Sequence, residues 1–102
     1  MDQRFRPADR LRNRAAFSRV FRRNVRSTDA LFTVLARPTD DAFPRLGLAI
    51  SVRAAGGAVS RNRIKRVVRE TFRQHRDSLP IADFVVMARP GIAARGNAQR
   101  RR

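Results

Sequence analysis

The sequence predicts a single-domain α+β fold, an α/β sandwich in which helices cover one side of a central sheet. Three observations predict it. The chain has 102 residues, enough for one modest core; apolar residues recur with helical spacing in two segments; and three other segments are rich in large and β-branched apolar residues. The predicted order is helix, strand, strand, helix, strand, so the second helix connects two strands that could pair as parallel neighbours.

An extended basic arm and a first helix are expected at the N-terminus. Residues 1–12 are polar and basic, and the folded core is expected to span residues 13–89. Asn13 is a typical N-cap, because its side-chain oxygen can accept a hydrogen bond from an amide of the first turn, and it predicts a helix over residues 14–23. Asn24 is expected to end this helix. One stripe of the helix carries its apolar residues, Ala16, Phe17, Val20 and Phe21.

Large and β-branched apolar residues predict three strands, at 31–37 (LFTVLAR), 45–52 (RLGLAISV) and 83–89 (DFVVMAR). Residues 38–41 (PTDD) predict a turn between the first two, because Pro removes a ladder donor and Asp favours local backbone hydrogen bonds. Gly47 indicates a bulge or the close approach of another group to the backbone. After the third strand, residues 90–102 predict an arginine-rich tail.

The second helix, predicted over residues 58–76 after a flexible entry at 53–57, has two unlike sides. At about 100° per residue, one side carries its apolar residues, Ile64, Val67, Val68, Thr71 and Phe72. The opposite side carries polar and basic residues, Asn62, Lys65, Arg66, Arg69, Arg73 and Arg76. A helix that is merely solvated usually mixes charges of both signs, so this nearly unbroken positive face predicts a surface that binds a polyanion.

The net charge of +16 indicates the class of partner. Nucleic acid is the first expectation and an anionic membrane surface the second. Of 24 basic residues only Lys65 is a lysine, and the planar guanidinium of arginine suits bidentate phosphate contacts. The absence of cysteine excludes disulfides, thiolate metal sites and a cysteine nucleophile. Without a secretory signal or a run of about 18 apolar residues, the chain is expected to be soluble and cytoplasmic.

Residues that could carry catalysis are sparse. The single histidine, His75, projects near the apolar side of the second helix, where a structural role is favoured over a catalytic one. The acidic residues are scattered, and the adjacent pair Asp40-Asp41 falls in the predicted turn, where simple solvation is favoured. We therefore expect no catalytic residue in this chain and no metal held by the protein alone.

Two interpretations fit the aromatic residues of the first helix. Phe17 and Phe21 lie one turn apart among several arginines. They could anchor the helix on the sheet as core residues. They could also offer a stacking surface to single-stranded RNA, since base stacking on aromatic rings next to guanidinium groups is a common mode of RNA recognition. Both interpretations hold if the stripe lines a cleft between helix and sheet.

Residues 58–73 (AVSRNRIKRVVRETFR) closely resemble the signature of the bacterial ribonuclease P protein subunit, AV-x-RNR-I-K-R-x-x-R-E-x-F-R. Three further motifs of that family occur in the right order. The pattern RL-x(5)-F-x-x-VF is carried by Arg10, Leu11, Phe17, Val20 and Phe21. The pattern R-x-G-L-x-x-S is carried by Arg45, Gly47, Leu48 and Ser51, and the pattern D-x-V-x-x-AR by Asp83, Val85, Ala88 and Arg89. The resemblance covers most of residues 10–89.

The resemblance implies a single RNA-binding domain over residues 1–102, the accessory subunit of an endoribonuclease whose catalyst is a large RNA with bound Mg²⁺. Its partners would be that ribonuclease P RNA and precursor tRNA, whose 5′ leader is removed; no membrane or DNA partner is expected. The residues implied to contact the catalytic RNA are Arg61, Asn62, Arg63, Lys65, Arg66, Arg69 and Arg73. Those implied to line a cleft for the 5′ leader are Phe17, Phe21, Arg14, Arg45, Ser51 and Arg53. The family fold has a left-handed β-α-β crossover, against the general handedness rule.

The sequence departs from the family pattern where a cleft aromatic is often found, at Leu35, and where a final helix normally follows the third motif strand. Three other functions stay open on charge alone, because phosphate contacts carry no sequence information. They are a ribosomal or RNA-chaperone protein, an independent nuclease, and a DNA-binding protein with its basic helix in a major groove. The contiguous RNR motif favours the ribonuclease P subunit over all three.

Overall fold

A four-stranded mixed sheet forms the frame of the protein, which a computed structural model describes over residues 7–89. Its strands are β1 (Val25–Thr28), β2 (Phe32–Pro38), β3 (Arg45–Leu48) and β4 (Ala82–Ala88). They lie in the order β1-β2-β4-β3, with β2 antiparallel to β1 and β4, and β3 parallel to β4. The α+β class and the parallel pair are confirmed, whereas the left-handed crossover stays a prediction. The outer parts of the predicted arm and tail, residues 1–6 and 90–102, lie outside the described residues.

Three α-helices accompany the strands: α1 (Arg14–Arg22), α2 (Val52–Ala55) and α3 (Ala58–His75). α1 begins where the sequence predicts, because the Asn13 side chain accepts a hydrogen bond of 2.8 Å from the Ala16 amide. At its other end Asn24 donates a side-chain hydrogen bond of 2.8 Å to a backbone carbonyl of the last turn. α2 occupies most of the predicted flexible entry, and Gly56, with φ at 81°, ends it in the left-handed conformation. Between residues 7 and 89 no helix is long and apolar enough to span a bilayer.

α1 and α3 cover opposite faces of the sheet. Side chains alternate between the faces of each strand, so that Leu35 and Val85 pack beneath Val20 of α1, whereas Val86 packs against Phe72 of α3. The expectation that helices cover only one side is therefore wrong, and the sheet is the middle of three layers. The physical reason is visible in β4, whose nearly continuous apolar sequence is typical of a strand buried on both faces.

Residues 7–12 belong to the folded core rather than to the predicted arm. Leu11 is buried, and its amide donates a hydrogen bond of 2.9 Å to the Leu46 carbonyl, so the segment lies along the outer edge of β3. Asp9 is fully buried beside Arg76, just beyond the end of α3. The predicted boundary at residue 13 is wrong, because contacts between distant parts of the chain fix this segment.

Two strand assignments also change. β1 has no counterpart in the predicted order, and the hairpin that joins it to β2 closes at Asp29. The carboxylate of Asp29 accepts hydrogen bonds of 2.7 Å from the amides of Phe32 and Leu31, which lower the pKa of Asp29. The predicted second strand ends early, at Leu48, because Ser51 begins α2 as its N-cap.

Candidate nucleic-acid interface

α3 rests on the sheet with a somewhat different side inward than its sequence predicts. Phe72 is buried and Val68 half-buried against β3 and β4, as expected. Val67, which the predicted stripe places inward, is 56% exposed. The inward side is instead turned toward Arg76, whose guanidinium is buried in an ion pair with the N-terminal segment. The predicted stripe is therefore confirmed only in part.

The side of α3 next to this buried stripe carries a dense set of cations, which we call the basic flank: Arg61, Asn62, Arg63, Lys65, Arg66, Arg69 and Arg73. Asn62, Arg63 and Arg66 are exposed, and the other members are half-buried. Partial burial lowers the pKa of Lys65, and the charges of Arg61 and Arg69, one turn away on either side, lower it further. The flank is thus self-repelling, and an anion bound on it relieves that repulsion.

Two members of the basic flank also hold the protein together, and one predicted neighbour does only that. Arg61 donates from Nε to the Ile50 carbonyl at 2.7 Å, which ties the start of α3 to the loop after β3. Arg73 pairs with Glu70 at 2.9 Å. The prediction that Arg76 continues the polar side is wrong, because its side chain is 9% exposed and pairs with a buried carboxylate.

The aromatic flank of α1, formed by Phe17, Phe21 and Arg14, separates the two competing interpretations of its rings. Phe17 packs on the buried α1 cluster and lies so close to β3 that a β-carbon on Gly47 would lie 2.6 Å from its Cζ atom. This contact confirms the close approach predicted at Gly47. Phe21, one turn later, is 47% exposed. The two rings therefore differ in environment, the first mainly packed and the second available to a ligand.

The other residues predicted for the leader cleft are not all brought together. Arg14 and Arg53 are exposed on α1 and α2. The Ser51 hydroxyl accepts a hydrogen bond of 3.0 Å from the Ala54 amide, so part of its role is to cap α2. Arg45 lines two cavities with Arg19, a residue about 200° around α1 from both Phe17 and Phe21. The structure thus puts Arg45 on the other side of α1 from the exposed ring.

Arg45 is held rigidly on that side. Its Nε and Nη2 atoms donate to the two carboxylate oxygens of Asp83, each at 3.0 Å, and Asp83 is 1% exposed. This bidentate bond raises the pKa of Arg45. A second carboxylate, that of Asp41, lies 3.3 Å from Nη2. The predicted turn therefore holds an acidic pair of which one member is an ion-pair partner.

Several arginines beside Arg45 were not predicted as site residues. Arg19 and Arg37 line one cavity of about 390 Å³ with it, and Arg10, Arg12 and Arg19 line a neighbouring one of about 460 Å³. The sequence shows these residues only as part of the general excess of arginine. They converge because the N-terminal segment, α1 and β2 meet at the start of β3.

The arrangement is suited to binding and lacks the groups of a hydrolase site. His75 is exposed, and its Nδ1 atom lies 2.9 Å from the Thr71 carbonyl, in keeping with the structural role expected for it. Over residues 7–89, no three histidine, aspartate or glutamate side chains lie where they could hold a metal ion together. What the described surface offers is guanidinium groups and one exposed aromatic ring, the groups that contact RNA phosphates and bases.

Comparisons with known proteins agree with this reading of the surface. The Ribonuclease P family profile matches residues 5–102. The ribonuclease P protein component of Thioalkalivibrio sulfidiphilus is 48% identical over 99 residues, which are 97% of this chain and 82% of that relative. The solved RNase P protein of Staphylococcus aureus matches with a TM-score of 0.78 and 30% identity, over 84% of this chain and 79% of that one. For the RNase P protein of Thermotoga maritima the values are 0.76 and 34%, over 86% and 80%.

Proposed function

The chain belongs to the ribonuclease P protein family, and we propose that it binds the catalytic RNA of a bacterial ribonuclease P together with the 5′ leader of precursor tRNA. In this role it assists the endonucleolytic cut that removes the leader and leaves the mature 5′ end of the tRNA. The proposed site of action is the cytoplasm. Neither a membrane nor DNA is part of the proposal.

The observation that carries the proposal is the placement of the family motif on α3. Its exposed members, Asn62, Arg63 and Arg66, project from the basic flank, while Phe72 of the same motif is buried against the sheet. The motif therefore both anchors the helix and presents its cations. Guanidinium groups in this arrangement contact phosphates of a folded RNA without reading its bases, which suits a partner recognised by shape.

The 5′ leader is assigned to the aromatic flank of α1. A leader is single-stranded, so its bases are free to stack on an exposed ring, and Phe21 is the exposed ring on this helix. Arg14 lies on the same side of α1, where its charge can meet a leader phosphate. Leu35, at the position where the family often carries a cleft aromatic, is buried beneath α1 and supports the helix instead.

Catalysis in this proposal resides in the RNA subunit, and the Mg²⁺ ions of the reaction are bound mainly by that RNA. The described part of the chain does not offer Mg²⁺ a cluster of carboxylates, which is the donor set this ion prefers in proteins. The protein contributes positive charge and leader binding. Both effects favour association of two polyanions that otherwise repel each other.

Reconstitution tests the proposal. The protein is mixed with a bacterial ribonuclease P RNA and a precursor tRNA at low Mg²⁺, and the cleavage site is mapped. We expect faster cleavage than with the RNA alone, at the mature 5′ end, and no binding of a DNA strand with the leader sequence that competes with the RNA leader. Cleavage no faster than with the RNA alone would contradict the proposal.

A further inference from the structure

A cavity of about 460 Å³ lies between the N-terminal segment, the first turns of α1 and the start of β3. Its charged lining residues are four arginines, Arg10, Arg12, Arg19 and Arg45. The remaining lining residues are small or uncharged, so no aspartate or glutamate of residues 7–89 faces into the cavity. We call it the four-arginine pocket. None of the two proposed RNA surfaces includes it as a whole, and only Arg45 was predicted to contact RNA.

Long-range contacts hold the walls of the pocket in place. On one side, the bidentate bond to Asp83 fixes Arg45, with both hydrogen bonds at 3.0 Å. On the other, the N-terminal segment is fixed by the 2.9 Å hydrogen bond from Leu11 to Leu46 and by the buried ion pair of Asp9 at 2.8 Å. Because the backbone on both sides of Arg10 and Arg12 is anchored, binding an anion here costs little ordering of the main chain.

The pocket is electrostatically continuous with α3. Besides its partial burial, the nearby charge of Arg10 lowers the pKa of Arg69, which places Arg10 beside the basic flank. A line of cations therefore runs from Lys65 and Arg69 through Arg10 into the pocket. The same line lies away from Phe21, because Arg19 leaves α1 on the opposite side from that ring.

We propose that the four-arginine pocket binds backbone phosphates of the RNA that lies on the basic flank of α3, as a third RNA contact separate from the aromatic flank of α1. A pocket lined by guanidinium groups and small side chains, with no aromatic ring, favours phosphate over a base. Only the identity of this RNA, the catalytic RNA rather than the leader, rests on the proposed function. The phosphate chemistry rests on the pocket itself.

The phosphate chemistry is tested on the protein alone with inorganic pyrophosphate. The Nε–Hε resonances of the arginine side chains are followed by NMR during a titration. We expect the resonances of Arg12 and Arg19 to respond at concentrations at least about fivefold lower than those of Arg63 and Arg66, the exposed arginines of α3. An equal or later response of the pocket arginines would overturn the proposal, whether or not the protein acts with ribonuclease P RNA.

The identity of the RNA is tested with the double variant Arg12→Gln/Arg19→Gln and a control that removes the same charge, Arg22→Gln/Arg26→Gln. All four positions are exposed, so the fold is expected to survive in both. For ribonuclease P RNA, the pocket variant should reduce the log–log salt slope by roughly 0.7–0.9 per lost phosphate contact and the control by much less. In the holoenzyme, the ratio of affinities for precursor and mature tRNA should not change.

Three outcomes separate the ideas. Equal slopes for the pocket variant and the control would overturn the third contact. A changed ratio of precursor to mature tRNA would assign the pocket to the leader and overturn the choice of RNA. If the wild-type protein fails to bind ribonuclease P RNA at all, the proposed function fails, and the pyrophosphate titration still decides whether the pocket is a phosphate site.

Discussion

The carboxylate of Asp9 and the guanidinium of Arg76 form an ion pair of 2.8 Å whose two side chains are 0% and 9% exposed. The pair connects the N-terminal segment to the residue that follows α3. It turns the inward side of α3 toward Arg76 and places Arg10 beside Arg69. A single buried contact thus helps to orient the basic flank and one wall of the four-arginine pocket.

Asp9→Asn is expected to lower the free energy of unfolding by about 3–5 kcal/mol, because it leaves the Arg76 charge buried without its counter-charge. Glu70→Gln is the control, since it breaks the exposed pair with Arg73 and is expected to cost less than about 1 kcal/mol. Urea denaturation of both variants measures the difference. Equal losses of stability would show that the buried pair does not organise the fold.

Gly47→Ala is expected to destabilise the protein by about 1–3 kcal/mol through overpacking. The new β-carbon would lie 2.6 Å from Cζ and 2.8 Å from Cε1 of Phe17, so the ring has to move. In a Phe17→Leu background the same substitution should cost clearly less. A double-mutant cycle measured by thermal or urea unfolding checks this, and additive effects of the two substitutions would contradict the contact.

How far the sequence predicts the fold depends on whether local pattern decides an element. α1 is predictable because Asn13 caps it and one apolar stripe runs along it. β1 is not, because all four of its residues are exposed and the strand is held by pairing with β2 alone. The layer order and the inward side of α3 were also missed. Both depend on partners far away in the chain, such as Asp9 for Arg76.

The candidate site divides in the same way. The basic flank lies on one continuous helix, so its members could be named from the sequence. The four-arginine pocket combines residues from three separate segments, and no local pattern distinguishes Arg12 or Arg19 from the other arginines of the chain. Arg45 was named from its motif, but its position away from Phe21 became visible only with the pairing of β3 and the bidentate bond to Asp83.

Replacing Arg66 and Arg69 with alanine is expected to weaken binding to ribonuclease P RNA and to flatten its salt dependence. Each lost phosphate contact should remove roughly 0.7–0.9 from the log–log slope. The fold should survive, because neither side chain is fully buried. Binding across a salt series, with circular dichroism as the check on folding, measures both. An unfolded variant would mean that the basic flank is needed for the core.

The protein by itself is expected to show no nuclease activity. His75 bonds to its own helix, and Asp83 is engaged by Arg45, so neither is placed to activate water. The measurement is incubation of precursor tRNA with protein purified free of RNA, with and without Mg²⁺. Metal-dependent cleavage that disappears on changing His75→Ala or Glu70→Gln would contradict the assignment of catalysis to the RNA subunit.

Phe17 and Phe21 are expected to differ in what they support. Phe17→Ala removes a ring packed on the core and should chiefly lower stability, by about 3 kcal/mol, near the low end for aromatic truncation because the ring is only half-buried. Phe21→Ala removes a ring that is 47% exposed, so its melting temperature should move only slightly. Thermal unfolding of the two variants, measured side by side, gives this comparison.

The ratio of holoenzyme affinities for precursor and mature tRNA tests the central claim most directly, because only the precursor carries a leader. Stacking of a base on an aromatic ring contributes about 1–3 kcal/mol, so Phe21→Ala should weaken precursor binding about tenfold or more and leave mature tRNA binding unchanged. The control Arg22→Ala, on the same helix, should leave the ratio as it is. Equal weakening of both tRNAs by Phe21→Ala, together with a large drop in melting temperature, would contradict the claim that this ring holds the leader.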